Sequence, residues 1–408
     1  MKQSRKASYI YITAVSIFSA IYILPAVRIG FDFVSLAIAS FIFYLLFAYK
    51  SDKFVSVKNL VFNLLPYMLI CFLIAKPMDF KMGFLHPLLT TWCMLFPGLL
   101  CKHTLERGNI FECRLIALIT MGMLIYVIYN TINALIVSPD ILRDITGGLL
   151  DEEIQLQYVL GNVGGYGLAY GTGAVVILLI TLLEGYQKSR KIKFLLYALL
   201  IVVVYFVLNA QFTTLLFLTF ICTILSLYYS DYGQRNKNFL IMLIVVFVFF
   251  TPILLQFVTS LYEGTTTGEK LVRFTNNIFG NGDVTEASGA RSKAQLNALS
   301  LFFKSPLWGS DIINNTQNAS IYGAAHSTML GVACSTGLIG LVSYYRTYWS
   351  IMKAILKKYV GKGKQYIAIV IYFFLFSLFN PSESTESCWI IFMIVPLFFN
   401  VIKQYNNE

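Results

Sequence analysis

Residues 264–327 read GTTTGEKLVRFTNNIFGNGDVTEASGARSKAQLNALSLFFKSPLWGSDIINNTQNASIYGAAHS, the one long polar stretch in the chain. On either side the sequence is a succession of apolar runs, and that contrast decides the fold. With 57% hydrophobic and 12% charged residues and a mean hydropathy of +0.70, a chain of 408 residues has too few charges to cover a soluble globule of its size. The expectation is an all-α, polytopic membrane protein.

A span needs roughly 20 mainly apolar residues. That rule picks out twelve stretches: 9–26, 31–49, 59–75, 84–101, 115–137, 157–183, 194–210, 212–230, 238–262, 326–352, 365–380 and 387–402. Prolines 66, 87 and 97 are expected to break the third and fourth. The first run is long enough to span and no early small-residue cleavage site follows Met1 to Tyr9, so it is expected to be a retained helix. The organisation is then a bundle of nine spans over 1–262, an external loop over 263–325 and three further spans over 326–408.

The placement of basic residues orients the bundle, because cytoplasmic loops carry the excess of Lys and Arg. With the N-terminus inside, the cytoplasmic segments hold 22 Lys and Arg against 6 Asp and Glu, a net of +16. The other side holds 9 basic and 14 acidic residues, a net of −5. One span more or fewer would exchange the sides of every later loop and destroy the asymmetry. Both termini are therefore expected inside, with the polar stretch and the acidic segment 139–153 outside. The pI of about 9.2 follows from this loop bias, so nucleic acid is not expected as a partner.

The seven cysteines, at 71, 93, 101, 113, 222, 334 and 388, lie in or beside apolar runs without CxxC spacing, which fits small core residues. No spacing of His, Cys or carboxylates suggests a metal. Neither GxGxxG nor GxxxxGK[ST] occurs, so nucleotide-driven chemistry has no phosphate loop and no cofactor is expected. The sixth span, LGNVGGYGLAYGTGAV, carries glycines 161, 164, 165, 167, 171 and 173. Small residues at such spacing allow close helix packing, or they thin the wall of a cavity that admits a bulky substrate.

Within the polar stretch, Ser288 and Gly289 precede a helix expected over 290–304, closed by Ser305 and Pro306. At 100° per residue, Lys293, Asn297, Ser300 and Lys304 form a polar stripe, and Arg291, Gln295, Ala298 and Phe302 fall opposite. Arg291 thus shares the apolar face, where a guanidinium calls for an anionic partner, although an arginine in a first turn can also snorkel to headgroups. Arg suits bidentate recognition of phosphate, and Arg273 shares the loop. His326 opens the tenth span among small and apolar neighbours. It is either a helix-start structural residue or a group able to exchange a proton near neutral pH.

The SGAR helix start, the Pro-x-x-Gly turn of SPLWG and a histidine opening the next span before GLIGL resemble the O-antigen polymerase and ligase superfamily, strongest over residues 271–341. The rest of the resemblance is one of topology, with GNVGGYGLAYG similar to the family's Gly-rich span. It implies a bacterial glycosyltransferase of the cytoplasmic membrane acting on undecaprenyl-pyrophosphate-linked oligosaccharide at the outer face. By the same resemblance Arg291 and His326 are catalytic and Arg273 and Arg291 bind substrate; Gln295, on the Arg291 face of the loop helix, and Gln211 are further candidate substrate-binding residues, and a chain-length regulator is a candidate protein partner. One departure stands out. Gln211, in AQFTT, occupies a position where the family commonly has arginine, which favours a polymerase over a ligase. Two other readings remain open: a ligase that transfers finished polymer to an acceptor, and a flippase or transporter of the lipid-linked unit. Against the last, no internal repeat is visible and the span centres lack charge.

Overall fold

The computed structural model describes residues 5–48, 54–74, 85–147, 149–185, 189–230, 238, 289–309, 327–359, 366–382 and 384–407. The expected ninth span lies almost wholly outside these residues. Among them there is no β-strand. In chain order the helices are α1 (Arg5–Ile23), α2 (Pro25–Arg28), α3 (Phe33–Ala48), α4 (Phe54–Ile74), α5 (His86–Arg107), α6 (Ile110–Val137), α7 (Ile141–Gly147), α8 (Glu152–Leu160), α9 (Tyr166–Gly185), α10 (Arg190–Asn209), α11 (Thr213–Tyr229), α12 (Gly289–Lys304), α13 (Thr328–Tyr359), α14 (Tyr366–Phe379), α15 (Thr385–Trp389) and α16 (Val395–Asn407). A π-turn, Ile390–Ile394, joins the last two.

Five stretches among the described residues are long and apolar enough to cross a membrane: Ile110–Val137, Tyr166–Glu184, Arg190–Asn209, Thr328–Leu356 and Thr385–Gln404. Five shorter apolar helices, Ala7–Ile23, Phe33–Phe47, Val61–Leu73, Thr213–Tyr229 and Tyr366–Phe379, lie in five of the other seven expected spans; α5, in the expected fourth span, belongs to neither group. Prolines 66 and 97 do not end their helices, since both α4 and α5 run through them. Neighbouring helices and local adjustment can satisfy the carbonyl that a proline leaves without a donor.

The chain divides into two compact units. In the first, which takes residues 1–123, 290–361 and 374–401, α13 packs along α4, α3 packs against α5, and α15 sits against α1 and α5. Its interior is aromatic. Tyr22 stacks near Trp389 with ring centroids 4.6 Å apart, and its hydroxyl donates to the Cys93 carbonyl at 2.9 Å. At the far end of α1, the hydroxyls of Tyr11 and Thr104 bond at 2.8 Å, and the Arg107 guanidinium lies 4.2 Å from the Tyr11 ring centre. Arg107 also grips the fully buried Glu112 with two bonds, Nε to Oε2 at 2.7 Å and Nη2 to Oε1 at 2.9 Å. This fork-to-carboxylate pair fixes the short turn from α5 to α6.

In the second unit, residues 124–289, 362–373 and 402–408, α9 packs between α10 and α11. The expected continuous span 157–183 is a correction: it is two helices, α8 and α9, separated by a turn. Asn162 adopts φ +56 there, and the Val163 N–H returns to the Tyr158 carbonyl at 3.0 Å. Left-handed backbone, which Asn tolerates well, ends a helix. The Gly164 N–H is then taken by Thr131 Oγ1 at 2.9 Å. Further along, Gly173 sits where three helices crowd. A Cβ at this position would lie 2.6 Å from Thr219 Oγ1 and 2.8 Å from Leu215 Cδ1, and would overlap the Tyr372 hydroxyl. That hydroxyl donates to the Tyr170 carbonyl at 2.7 Å. At this position the packing reading of the glycines accounts for the residue.

Candidate functional site

The polar stretch supplies α12, and the face expected to be apolar is the face that packs. Ala298 is 1% exposed and forms a small core with Cys334 of α13, closed by Leu301, Phe302 and Leu330. The Cys334 thiol donates to the Ala298 carbonyl at 2.8 Å. Asn297, Ser300 and Lys304 are exposed, and Gln295 is half-buried. Arg291 lies in the first turn of the helix, with its side chain outside the described residues. Arg273 and His326 also lie outside them.

What holds α12 in place is a backbone interlock between the SPLWG turn and a break in α13. At Gly337 the backbone takes φ +64, ψ −169, a conformation open essentially to glycine alone. The break leaves the next N–H groups without partners in their own helix, and the turn supplies them. Leu338 donates to the Pro306 carbonyl at 2.8 Å and Ile339 to the Leu307 carbonyl at 3.4 Å. The turn meets the break with a glycine of its own. Gly309 has φ +81, and a Cβ on it would lie 2.6 Å from the Thr336 nitrogen. Two positive-φ glycines from separate motifs thus allow main chain to lie against main chain.

At the start of α13 a second polar cluster forms. Ser327, the residue after His326, donates its hydroxyl to the Ser377 carbonyl at 3.2 Å and caps the Leu330 N–H at 3.1 Å. Thr328 donates its N–H to the Asn380 carbonyl at 3.3 Å, and its hydroxyl accepts the Ser382 N–H at 2.8 Å. Ser382 leads into α15, which begins Thr385-Glu386. The Glu386 side chain is 6% exposed and pairs with Arg28 Nη1, on a side chain that is 38% exposed. The same nitrogen donates to Thr385 Oγ1 at 2.8 Å, and that hydroxyl donates to Glu386 Oε2 at 3.4 Å. Asp32, just beyond Arg28, accepts the Ser35 N–H at 2.7 Å at the start of α3. The Ser35 side-chain and backbone bonds hold its carboxyl below the usual range.

Reading the sequence missed Arg28 and Glu386. The available signal was a carboxylate in a short polar linker, NPSESTESC, immediately before an apolar run.

The second unit holds Gln211. It is 4% exposed and sits at φ +57 in the break between α10 and α11. Arg143, at the start of α7 in the acidic segment, donates from Nη2 to the Gln211 carbonyl, and its guanidinium lies 5.9 Å from the centre of the Phe212 ring. Tyr166 and Tyr170 complete an aromatic group, with centroids 5.5 Å and 5.8 Å from Phe212. Arg143 was also missed, because nothing in its sequence neighbourhood points to residue 211. Among the described residues no group of three or more His, Cys, Asp or Glu is arranged to hold a metal. No protein-family model matches the chain, and no curated protein matches it either.

Proposed function

We propose that the chain is a membrane glycosyltransferase that polymerises undecaprenyl-pyrophosphate-linked oligosaccharide repeat units into O-antigen or capsular polysaccharide at the outer face of the cytoplasmic membrane. The observation that carries this reading is the interlock of Gly309 with Gly337. It joins SPLWG to STGLIGL, two of the motifs on which the resemblance rests, and it fastens the Arg291-bearing helix to the span that follows His326. A second support is that the end of α2 and the starts of α13 and α15, which the charge pattern assigns to the outside, meet in one polar cluster.

The chemistry asks little beyond positioning and charge. The donor carries its own leaving group, so the bond from the anomeric carbon to the diphosphate oxygen breaks as the acceptor hydroxyl oxygen bonds to that carbon. Arg291 and Arg273 stabilise the charge that gathers on the departing diphosphate. His326 takes the proton of the attacking hydroxyl. The test is to incubate purified full-length protein with lipid-pyrophosphate-linked repeat units and no nucleotide. A ladder of lengthened products is expected. Arg291→Lys should lower its yield at least tenfold, because a point charge does not reproduce the guanidinium fork. Movement of the lipid-linked unit across a bilayer without a ladder would overturn the reading, as would full chain length from Arg291→Ala.

A further inference from the structure

Resting on that reading of the substrate, we propose that Arg28, Thr385 and Glu386 form a binding site for vicinal hydroxyl groups of a neutral sugar in the acceptor oligosaccharide. Nothing in the resemblance assigns these residues a role. The argument begins with what each group still has to offer. Arg28 uses only Nη1, on Thr385 and Glu386, and among the described residues its Nε and Nη2 make no hydrogen bond. Two donors of a planar fork are therefore held at a fixed angle on a partly exposed side chain. Among the described residues, Glu386 Oε2 receives only the long bond from Thr385 and has lone pairs to spare.

The charge balance selects the ligand class. Glu386 cancels the guanidinium, so the pair is close to neutral, and its Oε2 repels a diphosphate diester, which only accepts hydrogen bonds. A sugar hydroxyl both donates and accepts. Two adjacent hydroxyls can take N–H groups from Arg28 and give a hydrogen to Glu386. The site is also rigid, since Thr385 ties the arginine to the carboxylate and Ser384 accepts the Ser387 N–H at 3.2 Å to cap α15. A site fixed before the ligand arrives loses less freedom on binding.

The test uses the full chain in lipid nanodiscs free of glycoside detergent. Saturation-transfer NMR is recorded with a panel of free neutral hexoses, N-acetylhexosamines and their disaccharides, and separately with inorganic pyrophosphate. At least one saccharide should show transfer, and inorganic pyrophosphate should not displace it. Glu386→Gln and Arg28→Gln each remove one charge, and the double variant Arg28→Gln/Glu386→Gln leaves no unpaired charge to unfold the end of the bundle. All three should weaken saccharide binding at least tenfold while the circular dichroism of the double variant matches wild type. Wild-type protein that binds no member of the panel, a double variant that binds within twofold of wild type, or displacement by pyrophosphate would each overturn the proposal. Saccharide binding without a polymer ladder would instead overturn the polymerase reading and leave the sugar site standing.

Discussion

Replacing Gly337 by alanine tests whether α12 is held by the interlock or merely rests on α13. The glycine-only backbone at φ +64, ψ −169 costs an L-residue roughly 1–3 kcal/mol. The new Cβ would also stand 2.5 Å from the Trp308 nitrogen and overlap the Leu307 carbonyl. To make room the turn must withdraw, forfeiting the Leu338 and Ile339 bonds at about 1 kcal/mol each. The sum is roughly 3–5 kcal/mol against docking, which raises the undocked population on the order of 10²–10⁴-fold. Cys334 reports it. The thiol is 2% exposed beneath Ala298, so its alkylation, followed by mass spectrometry of the intact membrane-embedded chain, tracks the opening of α12. Gly122→Ala is the control, because a Cβ there meets nothing within 4 Å. If Cys334 in Gly337→Ala reacts within threefold of the wild-type rate, the interlock is not what holds the helix.

Gly173→Val in the second unit forces apart α9, α11 and α14 and breaks the bond from the Tyr372 hydroxyl to the Tyr170 carbonyl. Overpacking and the lost bond together cost roughly 2–4 kcal/mol. Alkylation of Cys222, fully buried on α11, should rise by at least tenfold, and an unchanged rate would mean the crowding is relieved at no cost. Arg107→Met strands the fully buried Glu112 and should cost about 3–5 kcal/mol. The double variant Arg107→Met/Glu112→Gln should recover more than half of the loss in thermal unfolding. Equal melting temperatures for the single and double variants would show that the lost contact with Tyr11 dominates, not the stranded charge.

Some features could be read from residue order because their cause is local. A helix face repeats every 3.6 residues, so Ala298 and Phe302 could be assigned to the packed side of α12, and Asn297 and Ser300 to the exposed side, before any coordinates. The junction between α8 and α9 is different. The run of glycines looked like one span, and only the left-handed turn at Asn162 divides it. A single residue with positive φ leaves no periodic trace.

Composition and period alone determined that this chain is built of apolar helices and that its one polar stretch contains an amphipathic helix. These are properties of neighbours along the chain. Only the tertiary structure decided which distant groups share a place: Gly309 with Gly337, Arg143 with Gln211, Arg28 with Glu386. Each pair is separated by at least 28 residues, and Arg28 and Glu386 by 358. Their meeting follows from helix packing, where a contact is set by the crossing of two elements and leaves no mark on either sequence.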